Sequence, residues 1–182
     1  MTGRPRDCII FATADWVTPY WTNKQHMARV MAKRGWRVLY VESVGFRSPR
    51  VGSGRDWSRL WYRLRRGLRS LLVGPDHVEP NIWVMSPLVI PAARRFAWLN
   101  RWFIGTVIRR FVRRHRFDRP MLWTYHPYLA GTEDLARGPL VYHCVDDVSA
   151  VPGVDEQRYQ ESERALLRAA DVVFTTSRSL LD

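Results

Sequence analysis

Lysine is nearly missing from this 182-residue chain: Lys24 and Lys33 are the only two, and every other base is arginine. Acids are scarce too, 17 against 29 bases, which leaves a formal charge of +12. A chain this basic should meet an acidic partner: nucleic acid, anionic lipid or phosphorylated small molecules. Cysteine is limited to Cys8 and Cys144, each inside an apolar run. That excludes a disulfide framework and predicts two buried free thiols in a reducing compartment. No C-x-x-C or paired His/Cys spacing occurs, so structural zinc is excluded, and no cofactor is expected. No apolar run reaches the ~20 residues of a membrane span. The greasiest stretch, Phe96 to Val112, is broken by Asn100, Arg101, Arg109 and Arg110. The basic start is followed by too short an apolar stretch for a secretory signal. No complete G-x-G-x-x-G follows the first strand and no G-x-x-x-x-G-K-[ST] occurs, so the dinucleotide fingerprint and the P-loop are absent.

What is present is a 46% hydrophobic composition, enough for one core in one domain. The positive charge is local. Fourteen arginines but only three acids, Asp56, Asp76 and Glu79, fall between residues 55 and 116. Within 55–72, Trp57, Leu60, Trp61, Leu64, Leu68 and Leu71 recur at helical spacing, with Arg55, Arg59, Arg63 and Arg66 on another face. Residues 94–116 read as a second helix, apolar in its middle and arginine-rich at both ends. Helices with Trp and Leu on one side and Arg on the other suit the boundary of an anionic bilayer. Trp57, Arg59, Trp61, Arg63 and Arg66 are the expected membrane contacts. An ordinary sheet-packing role stays open, more so for 94–116.

The rest alternates strand and helix. Strands are predicted at Cys8–Thr13, Arg37–Val41, Ile82–Met85, Met121–Tyr125, Leu140–Val145 and Val172–Thr175. Helices are predicted at Asn23–Arg34, with Met27, Val30 and Met31 facing in and Gly35 stopping it, and at Asp155–Ala169. Strands with few alternating polar residues, separated by helices, predict a Rossmann-like, doubly wound parallel sheet covered on both faces. Ligands of such folds bind at the carboxyl ends of the strands. That rule selects the loops Ala14–Asn23, Glu42–Gly45, His126–Pro127, Asp146–Asp147 and Thr176–Ser177. The first is long, aromatic and polar and enters a helix amino end, which suits a phosphate or sugar hydroxyl. In the bland alternative Thr22 or Asn23 caps the helix and the aromatics pack under the loop. His126 and the carboxylates Asp146 and Asp147 sit where a ligand would lie and are the candidate catalytic groups. His143, inside its strand, reads as a packed core histidine. The chain stops at Asp182, in the first turn of a further helix, so the first half of a longer protein is expected.

Five blocks together resemble the amino-terminal half of bacterial GT-B glycosyltransferases: Thr13-Ala14-Asp15-Trp16 with Trp21-Thr22-Asn23-Lys24-Gln25-His26, then Arg34 to Ser43, then Trp123-Thr124-Tyr125-His126-Pro127, then Val141 to Asp147, then Asp171 to Ser177. The closest likeness is to sugar transferases of polysaccharide and teichuronic-acid biosynthesis. The resemblance implies that residues 1–182 form the acceptor-side domain, with a nucleotide-sugar held mainly by a second domain. It implies His126 near the donor sugar, and substrate contacts from Asp15, Trp16, Trp21, Asn23, Lys24, His26, Tyr125 and Ser177. The family's glycine-rich first loop is missing here. Many relatives are peripheral membrane proteins, which implies a cytoplasmic enzyme at the inner face of the plasma membrane, acting on a lipid-linked or polysaccharide acceptor and not on nucleic acid. The alternative is an Arg-rich nucleic-acid-binding Rossmann-like domain, in which aromatic rings stack on bases.

Overall fold

The computed structural model describes residues 6–43, 65, 67–87, 93–127, 138–146 and 155–180. Trp57, Arg59, Trp61, Arg63, Arg66 and Asp147 lie outside the described residues. The elements run β1 (Arg6–Phe11), α1 (Asn23–Lys33), β2 (Trp36–Val41), α2 (described over 67–72), β3 (Asp76–Glu79), β4 (Ile82–Met85), α3 (Ala93–Arg114), β5 (Met121–Thr124), β6 (Leu140–Cys144), α4 (Glu156–Ala169) and β7 (Val172–Thr175).

The seven strands make one sheet in the order β3-β4-β2-β1-β5-β6-β7. All neighbours are parallel except β3 and β4, so the sheet is mixed, not wholly parallel as predicted. The fold is a Rossmann-like α/β domain. The strand order reverses at β1, which pairs with β2 on one side and with β5 on the other, Cys8 opposite Met121.

Period-two alternation assigns the faces. Cys8, Ile10, Val38, Tyr40, Ile82 and Val84 point to the α1 side and meet Ala28, Met31 and Ala32. Ile9, Phe11, Leu39, Val41 and Leu122 point the other way, onto Ile104, Val107, Ile108 and Phe111 of α3 and Leu166 of α4. Both cysteines are free and buried, as predicted.

Helix α1 buries Lys24, Gln25, Ala28, Met31 and Ala32, whereas Val30 is 45% exposed. The expected inward turn of Val30 is therefore corrected: it lies off the 3.6-residue stripe that the others define. Gly35 stops the helix with φ +83°, a left-handed conformation that favours glycine. In α3 the buried stripe is Asn100, Ile104, Ile108 and Phe111. Trp98 and Trp102 face outward at 66% and 57% exposure, beside exposed Arg101. The expected split of Trp and Leu against Arg is thus wrong for α3: its middle is a core helix, and its tryptophans share the arginine side. No helix among the described residues is long and apolar enough to cross a membrane.

The sheet thins toward β7. Val172, Val173 and Phe174 are 40–45% exposed. No strand pairs with the outer edge of β7 among the described residues.

Gly138 enters β6 under tight contact. A Cβ there would meet the carbonyl oxygens of Arg119 and Pro120 at 2.4 and 2.6 Å. Backbone atoms cannot step aside as a side-chain tip can. Gly138→Ala is therefore expected to cost about 1–3 kcal/mol, read as a lower urea midpoint with an unchanged slope. An unaffected midpoint would mean that this entry strand moves freely.

Candidate functional site

The strand tips beside the β1/β5 reversal collect most of the sequence-predicted groups. The loop after β1 is clamped from beneath by Gln25, which is fully buried. Its amide Nε2 donates to the carbonyl of Asp15 at 2.8 Å. Its Oε1 accepts from the backbone N–H and the hydroxyl of Thr22, at 3.0 and 2.8 Å. Thr22 is the helix N-cap, as one of the two expected capping residues. The Tyr40 hydroxyl donates to the Ala14 carbonyl at 3.0 Å. The loop is therefore held at both ends by side chains from the folded core.

Its aromatics divide. Trp16 is buried and packs edge-on against Tyr40 and, tilted and 5.0 Å away, against Trp21. Trp21 lies under the Arg29 guanidinium at 4.0 Å and against the exposed His26 ring at 5.6 Å. Packing under the loop thus describes these two tryptophans. Tyr20, which sequence reasoning did not select, is 87% exposed and is the ring of this loop that faces solvent.

A second group lies across the tips of β5 and β6. Lys24, in the first turn of α1, is buried, with its ammonium 5.5 Å above the Tyr125 ring and 3.9 Å from the Asp146 carboxylate. Burial lowers the Lys24 pKa, and Asp146 opposes that shift. Asp146 is itself largely exposed, so the pair presents a carboxylate to solvent over a buried cation. Tyr125 is buried, which raises its pKa. Its hydroxyl has no hydrogen-bond partner of good geometry among the described residues, and neither does the Trp123 indole N–H. His143 is half-buried on the same face, its ring 5.0 Å from that of Tyr125. Burial, then Lys24, lowers the His143 pKa. It lines this group instead of a sealed core, which corrects its expected role. Trp123 and Phe174 extend the wall as a stacked pair, 5.6 Å apart with planes at 18°.

His126 is placed differently. Its side chain is 1% exposed and meets the Phe11 ring edge-on at 6.4 Å. Burial lowers its pKa to about 3, so the imidazole is neutral at physiological pH. The Thr124 hydroxyl donates to its carbonyl at 2.6 Å and accepts its backbone N–H at 3.2 Å, which fixes the sharp turn after β5. A neutral imidazole here can donate or accept a hydrogen bond but carries no charge.

Asn23 opens α1 half-buried, and Ser177 lies exposed past β7, two strands from the β5 tip. Ser177 is not part of the Lys24 group. Glu42, at the tip of β2, was missed. It is 3% exposed, accepts the Trp16 N–H at 2.7 Å and accepts the Ser86 hydroxyl. The signal was its position: a carboxylate directly after a buried strand, inside a loop already selected by the strand-tip rule. Among the described residues no group of His, Cys, Asp and Glu could hold a metal ion.

Compared with family models and with curated proteins, the chain gives no match to either.

Proposed function

We propose that the chain is the acceptor-side Rossmann-like domain of a GT-B glycosyltransferase of bacterial cell-surface glycan assembly. The enzyme moves a sugar from a nucleotide-sugar donor to a lipid-linked or polysaccharide acceptor at the cytoplasmic face of the plasma membrane. The observation that carries this reading is the gathering of Lys24, Tyr125 and Asp146 at the strand tips beside the reversal point, 3.9 Å separating ammonium and carboxylate. Doubly wound folds take their ligands there. The absent dinucleotide and P-loop fingerprints direct the reading away from nucleotide binding by this lobe and toward the acceptor.

Roles follow from exposure. Asp146 is the accessible carboxylate, suited to accept a hydrogen bond from an acceptor hydroxyl or to take its proton. Lys24 faces that carboxylate at 3.9 Å. Tyr20 offers an open ring face to a sugar. His126, neutral and 1% exposed, supports the turn that carries Tyr125 and does not itself reach an acceptor. Nucleotide and donor sugar are assigned to a second domain. Exposed Trp98, Trp102 and Arg101 on α3, with exposed Leu68 and Leu72 on α2, support a membrane-facing side.

The test titrates the isotope-labelled chain with a short-prenyl diphosphate-linked monosaccharide and, separately, with UDP-glucose. The saccharide is expected to shift the resonances of Tyr20, Lys24 and Asp146. Tyr20→Ala and Asp146→Asn are each expected to weaken it about tenfold, the worth of one good polar or stacking contact. Tighter binding of UDP-glucose, or no shift at the strand tips, would reject the acceptor-side assignment.

A further inference from the structure

Far from those strand tips, α2, β3, β4 and α3 enclose a cavity of about 220 Å³. Trp83 forms one wall, with His77 stacked on it at 4.9 Å and His115 tilted against it at 5.1 Å. His115 in turn stacks on Phe111 at 4.2 Å. Arg110 and Arg114, one turn apart on α3, also line the space. Among the described residues no carboxylate lines it.

The nearby acids are engaged elsewhere. Asp76 pairs with Arg69 at 3.2 Å, and Glu79 is gripped by Arg29, whose Nε donates at 2.9 Å. Neither Arg110 nor Arg114 is ion-paired with a described residue. Two guanidiniums and two imidazoles thus surround an aromatic-walled space without a counter-charge from any described residue. Burial first, then Arg114, Arg37 and His77, lowers the His115 pKa, as an uncompensated positive field should.

We propose that this cavity binds a small phosphomonoester. Guanidinium forks recognise phosphate oxygens in a planar, bidentate way. The Trp83 and Phe111 rings and the side chains of Leu71 and Val107 then pack against a short carbon body. The volume lies below the ~300–1,000 Å³ of drug-sized sites, so the body is only a few carbons long. Such a group reaches the cavity either as a soluble metabolite or as a phosphomonoester lipid headgroup. The proposal stands independently of the glycosyltransferase reading.

The full chain is titrated with glycerol 3-phosphate by calorimetry and by NMR of the His77 and His115 imidazoles. It is also floated with phosphatidylcholine vesicles carrying either phosphatidic acid or phosphatidylglycerol, matched in net charge. Glycerol 3-phosphate is expected to bind and to shift both imidazoles. The double variant R110Q/R114Q is expected to lose at least tenfold in affinity with an unchanged melting temperature, because both side chains are exposed. The pair R164Q/R168Q, exposed on α4 and outside the cavity, should bind as the parent does. A preference for phosphatidic acid that R110Q/R114Q removes identifies a lipid source, and binding of glycerol 3-phosphate without that preference identifies a soluble one. Absence of binding to both probes overturns the proposal. So does equal weakening by the two double variants, which would reduce it to diffuse charge.

Discussion

Replacing Arg37 with alanine is expected to remove about 3–5 kcal/mol of folding stability, the usual cost of stranding one member of a buried ion pair. Its guanidinium grips the carboxylate of Asp7 with two parallel bonds, 2.7 and 2.9 Å. The same group donates to the carbonyls of His115 and Arg116, at 2.9 and 3.0 Å. Asp7 also accepts the Asp118 N–H at 2.6 Å. The Asp7 side chain is 0% exposed and that of Arg37 21%, so removing the arginine abandons a desolvated charge at the foot of the central strand. It also releases the turn after α3, where Arg116 and Arg119 hold positive φ angles of 51° and 46°. Those conformations cost non-glycine residues energy and persist only when the surroundings impose them. Arg37→Lys keeps a charge but loses the fork, so an intermediate loss is expected. Urea unfolding at constant slope is the measurement. A loss below 1 kcal/mol for the alanine variant would show that water replaces the guanidinium freely.

Acid should weaken the fold through His126. The unfolded imidazole takes up its proton near pH 6.5, and the folded one only near pH 3. Between those values the unfolded chain binds more protons, so stability rises with pH across this window and falls as pH drops. Each pKa unit corresponds to about 1.36 kcal/mol. From pH 7 to pH 4 the wild type should therefore lose about 3 kcal/mol more than His126→Gln, whose side chain stays neutral throughout. His143 and His115 are shifted in the same direction and act with the same sign in both proteins. Stability curves at pH 7, 5.5 and 4 make the comparison. Parallel curves for the two proteins would place the acid sensitivity elsewhere.

The strand pattern was legible because buried parallel strands are nearly uniform apolar runs. Ile82–Met85 and Val172–Thr175 came out with their observed bounds, and the others within two residues at either end. β3 was not legible. Its Asp76-His77-Val78-Glu79 carries a single apolar residue, and it forms by pairing antiparallel with β4 across a turn where Asn81 takes φ 65°. At the strand tips, Asp146 was selected because position relative to a strand end can be read along one chain, and Lys24 and Tyr125 entered with the resemblance; that the three lie together is the work of the fold. Gln25 and Glu42 were not selected. Their partners, Asp15 and Trp16, are brought to them by the fold and not by adjacency. The tryptophans of the first loop illustrate the same limit. Trp16 and Tyr20 look alike as aromatic members of one loop, and only the position of Tyr40 beneath Trp16 decides which is covered.

The reversal of strand order at β1 also sets a timetable for the nascent polypeptide. Residue 8 finds its second neighbour only at residue 121. During synthesis, β1 can dock β2 early, but its opposite flank, with the apolar run Cys8–Phe11, stays unpaired until β5 has been translated. Closing so long a loop is entropically slow. Cotranslational folding should therefore pass through a half-sheet with one naked central edge. In that interval a holdase chaperone protects the chain most.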